Sequence, residues 1–182
     1  MSCDACDRCG KESKVSFLGG EDSGYRRICL DCFNRLMADE YAVVMPENVP
    51  EVLTFKGRGK KTHVFEIQFM IVGTGKSLTA TEIGETKRIV DVWGDLDDDF
   101  EAMMKTLDKR IRKSLHVRYV DAKGIFKSQK AVGYISYNSV REDHDVIIDG
   151  KPFTWEELGK NISCYEGWKI KIEFGDIGAD FQ

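Results

Sequence analysis

The stretch FEIQFMIVGTGKSLT, residues 65–79, carries two incompatible readings. Its segment Gly73-Thr74-Gly75-Lys76-Ser77 has the look of a phosphate loop, which requires G-x-x-x-x-G-K-[S/T] so that consecutive backbone N–H groups curl around an anion. Counting back from Gly75, the first glycine of that pattern falls on Met70. A phosphate loop must also open a helix, yet Ser77-Leu78-Thr79-Ala80-Thr81-Glu82-Ile83 is mixed and threonine-rich, as strands are. On the other side, Phe65, Ile67, Phe69 and Ile71 alternate. The pattern predicts two strands joined by a tight Gly-Thr-Gly-Lys turn, and sets the nucleotide-hydrolase class aside.

Working outward, Lys87 to Trp93 reads as a third strand. The segment GDLDDDFEAMMKTLDKRIRKSL then places Phe100, Met103, Met104, Leu107, Ile111 and Leu115 on one helical face. Asp97 to Asp99 cap its start and Lys109 to Lys113 load its end, matching the helix dipole. Val117–Val120, Ala131–Val140 and Val146–Ile148 read as short strands, the last meeting an Asp149-Gly150 turn. Thr154 and Glu157 form a capping box before a short helix. In Trp168-Lys-Ile-Lys-Ile-Glu-Phe174 the apolar residues alternate, which predicts a final strand with Trp168, Ile170, Ile172 and Phe174 turned inward. The order of elements predicts an α+β fold, a mostly antiparallel sheet with two helices.

The cysteines define a separate unit. Of six, five stand at positions 3, 6, 9, 29 and 32, and Cys164 is remote. Paired C-x-x-C units favour a metal, since tetrahedral zinc takes four thiolates and each pair supplies two from one turn. Cys6, Cys9, Cys29 and Cys32 are the expected ligands of one structural Zn2+, with Gly10 supplying the backbone freedom the first turn needs. Cys3 and Cys6 are equally spaced, so the sequence also permits a shifted set, although only the Cys6 and Cys9 pair has a glycine after it. Four thiolates suit iron as well as zinc. Between the pairs, Val15, Phe17, Tyr25 and Ile28 flank a Gly19–Gly24 turn, predicting a hairpin. Cys29-Leu30-Asp31-Cys32 then opens a helix, DCFNRLMADEYA, with Phe33, Leu36 and Met37 on one side. Knuckle, hairpin and a ligand pair at a helix start resemble the treble-clef class of zinc modules. That resemblance implies an architecture and no activity.

Composition divides the 182 residues into a module at 1–40, a linker at 41–54 containing two of the three prolines, and an α+β domain at 55–182. The N-terminal C-x-x-C pairs, GDLDDDFEAMMKTLDKRIRK and the tail DGKPFTWEELGKNISCYEGWKIKIEF together resemble a family of uncharacterised bacterial proteins, which implies this two-part division and supplies no catalytic residue. No apolar run approaches the ~18 residues that span a bilayer, and MSCDACDRCG has neither a basic nor an apolar start, so the expected location is the cytoplasm.

No catalytic constellation stands out. His63, His116 and His144 are scattered, Glu142-Asp143-His144-Asp145 reads as a solvated turn, and Cys164 reads as a buried thiol. A closed four-thiolate sphere leaves no position for a reacting water. The expected role is therefore a non-enzymatic interaction with a protein partner. The alternative partner is nucleic acid. With a formal net charge of −4, that binding needs a local patch, and Lys105, Lys109, Arg110, Arg112, Lys113, Arg118, Lys123, Lys127 and Lys130, with Lys56, Arg58, Lys60 and Lys61, could supply one. The module is not such a patch: Arg8, Lys11, Lys14, Arg26, Arg27 and Arg35 are outweighed by Asp4, Asp7, Glu12, Glu21, Asp22, Asp31, Asp39 and Glu40.

Overall fold

A computed structural model describes residues 4–13, 16–19, 26–84 and 88–175. Among them the disputed stretch is a hairpin. Strand β6 (Thr62–Val72) pairs antiparallel with β7 (Gly75–Glu82), with Val72 opposite Gly75 and Gly73 and Thr74 making the turn. Gly75 has φ +153, and a Cβ there would lie 2.4 Å from the Gly94 carbonyl oxygen, so the glycine answers a close approach of two strands rather than a phosphate. Lys76 is buried and donates through Nζ to the Asp98 carbonyl oxygen, which joins the hairpin to the segment before the long helix.

Strand β5 (Val52–Lys56) precedes this hairpin and β8 (Ile89–Gly94) follows it, giving a four-stranded antiparallel sheet in the order β5-β6-β7-β8. The alternation of β6 sends His63, Phe65, Ile67, Phe69 and Ile71 to the buried face. Helix α2 (Phe100–His116) covers that face with Met103, Leu107, Ile111 and Leu115. Asp99 caps it by accepting from Ala102 N–H at 2.8 Å. Phe69 meets Phe100 edge to face, with ring centroids 5.5 Å apart, and Phe55 meets Phe65 in the same way at 5.8 Å.

A second antiparallel sheet has the order β11-β10-β9, from β9 (Gly133–Asn138), β10 (Asp143–Ile148) and β11 (Lys151–Phe153). Asp149 and Gly150 both have positive φ, 53° and 78°, the signature of the tight hairpin turn that joins β10 to β11. Helix α3 (Trp155–Ile162) starts with the expected capping box, and its Leu158 packs on a small core of Val120, Ile148 and Phe153. The α+β reading holds, with two antiparallel sheets in place of one. No helix among the described residues is long and apolar enough to cross a membrane.

Three expectations are corrected. Residues 168–174 form no strand, and Trp168, Ile170, Ile172 and Phe174 are exposed, Phe174 by 83%. Alternation is necessary for a half-buried strand, but it does not supply a sheet edge to pair with. Residues 117–120 make a single bridge, Val120 to Phe126, in place of a strand. Cys164 is exposed, its thiol facing the Asn161 carbonyl oxygen at 3.4 Å.

Candidate metal centre

The cysteine module is assembled from short pieces. Strands β1 (Asp4–Ala5) and β2 (Glu12–Ser13) flank the first C-x-x-C turn, and β3 (Ser16–Gly19) pairs with β4 (Arg26–Cys29), with Ser16 opposite Cys29 and Phe17 opposite Ile28. The expected turn, with Val15 and Tyr25, lies outside the described residues, as does Cys3. Helix α1 (Leu30–Tyr41) begins directly after Cys29, so Cys32 sits in its first turn, where the helix dipole favours negative charge. The first pair folds as a knuckle: Gly10 has φ +72 and donates its N–H to the Cys6 carbonyl at 2.7 Å, while Cys6 N–H reaches the Lys11 carbonyl at 2.9 Å. Asp7 fastens the knuckle to β4, since its N–H donates to the Arg27 carbonyl at 2.8 Å and its carboxylate accepts from Arg27 N–H at 2.7 Å.

These contacts bring the sulfurs of Cys6, Cys9, Cys29 and Cys32 within 4.8 Å of one another. Cys9 Sγ and Cys29 Sγ are 3.7 Å apart, far beyond a disulfide bond. The edge of a tetrahedron with metal–sulfur bonds of ~2.3 Å is about 3.8 Å, so the spacing suits four thiolates around one ion. Cys6, Cys29 and Cys32 are buried and Cys9 is exposed. The Cys29 N–H donates to Cys6 Sγ at 3.3 Å, and it is the main cause that draws the Cys6 thiol down to about 6. Burial pushes Cys32 up to about 12 and raises Cys29 as well. Several thiolates in one buried site repel each other and need a cation among them, and a bound metal deprotonates its thiols outright.

Two features escaped sequence reasoning. Asn34, two residues beyond Cys32 on α1, is buried and reaches the edge of β6 that β5 leaves open. Its Nδ2 donates to the Phe69 carbonyl at 2.7 Å and its Oδ1 accepts from Ile71 N–H at 3.0 Å. One side chain thus continues the ladder that ends where Ile67 N–H meets the Glu51 carbonyl. Nothing in the spacing of a lone asparagine announces this.

The other is a buried polar chain between the sheets. His63 Nδ1 lies 2.5 Å from Glu82 Oε1, Arg88 Nη1 donates to Glu82 Oε2 at 2.8 Å, and Arg88 Nη2 donates to the Asp149 carbonyl at 2.7 Å. The Asp149 carboxylate in turn accepts from the Tyr119 and Val120 N–H groups. A faint signal existed, because His63 and Glu82 occupy inward positions of otherwise apolar alternating strands. The remaining histidines lie elsewhere: His116 is exposed on the Arg112 carbonyl, and exposed His144 meets Tyr137 edge to face. Asp145 is engaged by Arg141 and Asn138, which occupies one acidic member of the 142–145 run. Arg110 donates to the Asp91 carbonyl, and Arg112 pairs with Asp108 while lying over the Phe55 ring.

Neither a curated protein nor a solved structure matches the chain. Three family models do, in succession: residues 5–43 match a domain of unknown function (DUF7685), residues 47–116 another (DUF7686), and residues 119–179 a third (DUF7713).

Proposed function

We propose that the chain is a zinc-stabilised cytoplasmic protein that acts by binding a protein partner and not by catalysis. The observation that carries this reading is the cluster of four sulfurs, in which Cys6, Cys9, Cys29 and Cys32 would hold one Zn2+ and leave it no open position. Knuckle, hairpin and helix in that order support a treble-clef-like arrangement, and with it the likeness to uncharacterised bacterial proteins. The proposed division is a zinc module at 1–40, a linker at 41–54 and an α+β region at 55–182. A protein partner is favoured by the exposed apolar surface of Trp168, Ile170, Ile172 and Phe174, which water alone covers at a cost.

The test is elemental mass spectrometry of the purified chain beside Cys29→Ser and Cys32→Ser. One zinc per chain, lost in both variants together with the fold of the module, is the expected result. Iron, or no metal, would overturn it. For the partner, Ile170→Lys with Ile172→Lys should abolish co-purification of whichever protein accompanies the unaltered chain, with metal content unchanged. If nothing co-purifies, the partner reading fails. A second reading, nucleic-acid binding through residues 105–130, draws support from the part of that stretch that meets Arg58.

A further inference from the structure

Two basic runs lie far apart in the sequence, one at Arg58–Lys61 and one at Arg118–Lys127. The fold brings them to one place. Arg58, on the short turn between β5 and β6, lines a cleft of about 300 Å3 together with Arg118 and Lys127, over a floor of Val120 and Ala122. The remaining lining residue, Asp121, brings one negative charge that interacts with Lys127, and its Oδ1 accepts from Lys123 N–H at 2.8 Å and from Ile125 N–H at 3.0 Å. Lys151 holds the same loop from behind, donating to the carbonyls of Asp121 and Ala122 at 3.0 and 2.9 Å.

Three of the residues that line this cleft, Arg58, Arg118 and Lys127, carry positive charge. Arg88, Arg112, Arg141 and Lys160 each pair with a carboxylate. Arg58 and Arg118 have no carboxylate partner among the described residues. With Asp121 beside Lys127, two guanidinium groups still share one hollow, and an anion between them relieves their repulsion. Guanidinium forks match phosphate oxygens in pairs; a terminal phosphate offers several acceptor oxygens with a charge approaching two, and a backbone phosphodiester offers two free oxygens with a single charge.

We propose that the cleft between Arg58, Arg118 and Lys127 is a binding site for a phosphate group, carried either by a nucleotide or by the backbone of a single-stranded nucleic acid. The site lies wholly outside the cysteine module, so it goes beyond the metal-stabilised reading and does not rest on it.

The experiment uses the metal-loaded full chain and two probes: ATP, by calorimetry, and a fluorescein-labelled 12-nucleotide single-stranded RNA, by anisotropy at several salt concentrations. Arg58→Glu and Arg118→Glu should each weaken the bound probe by roughly tenfold or more, and for RNA each should reduce the slope of log K against log salt by about one. Lys109→Glu, on the exposed side of α2, should change affinity by less than about threefold on the same scale. Arg58→Lys, which keeps the charge and loses the fork, should fall between, and it guards against misfolding as the cause. Binding of ATP in preference to RNA identifies a nucleotide site, and the reverse a nucleic-acid backbone. Either supports the proposal. Binding of neither probe at low salt, or binding lost in Lys109→Glu and untouched in Arg58→Glu, would overturn it. Because metal content is read separately, failure here leaves the zinc reading standing, and failure of the zinc reading leaves the cleft to be tested alone.

Discussion

Among the described residues, those buried around the cysteines are Cys6, Ile28, Cys29 and Cys32, with Phe33 packed against them; across the four-stranded sheet and α2, twelve buried residues interlock, joined by Ala38 of α1. Among the described residues, the first cluster is small and mostly cysteine, and the second is large and apolar. A region of the first kind depends on coordination, which is lost all at once, whereas burial in the second is spread over many contacts and is lost piecemeal. The two should therefore respond to different insults.

The largest separation should come from the metal. Chelation, or Cys32→Ser, should abolish hydrogen-exchange protection in residues 26–41 while β6 and β7 keep theirs, since a structural thiolate site supplies on the order of 10 kcal/mol. Equal loss in both regions would erase the contrast. Next in size is Glu82→Ala, which strands Arg88 and His63 in the interior and should cost about 3–5 kcal/mol by denaturant unfolding, with metal content unchanged. Loss of metal in that variant would show that the regions fold as one.

Asn34→Ala probes the joint between them. It leaves the Phe69 carbonyl and the Ile71 N–H without their partner, a cost of about 1–3 kcal/mol, and should loosen the contact of α1 with β6 while retaining the metal. A change within 0.3 kcal/mol, roughly the noise of independent surface sites, would mean that water replaces the side chain freely. The smallest effect belongs to Asp121. The N–H of Ile125 foremost, with those of Lys123 and Gly124, holds its carboxyl below the ordinary 3.8. Its contribution to stability is thus present above that value and is lost as pH falls through the lower folded value. Asp121→Asn should be less stable than the parent at pH 7 and equal to it in acid, by paired thermal melts.

Much of this was legible because periodicity reports burial directly. The hairpin of β6 and β7, the face of α2, the aspartate cap and the Thr154–Glu157 box all follow from spacing within one element, and the four cysteines from spacing within two. What was not legible depends on contacts between elements. Strand β5 begins within the proline-bearing stretch assigned to a linker and runs on to Lys56, because Val52 to Lys56 finds its partner only once β6 exists. Residues 168–174 show the reverse, a strand pattern without a neighbour in the fold. Asn34 and the chain from His63 to Asp149 are single polar residues whose partners are backbone groups, or charges, tens of positions away. Lys76 is the sharpest case, a residue expected in a tight turn that the fold buries and uses to tie two elements together.

If the four cysteines hold a metal, the position of Asn34, on the helix that Cys29 caps, would make metal supply a matter of solubility. A chain starved of metal would lose the register of α1, and the open stretch of β6 would then present a bare hydrogen-bonding edge beside Phe69 and Ile71. Edges of that kind template association between chains. Turbidity of the chelated protein should rise with concentration and fall when metal is restored, so that the asparagine acts as a guard against aggregation that is in force only while the thiolates are filled.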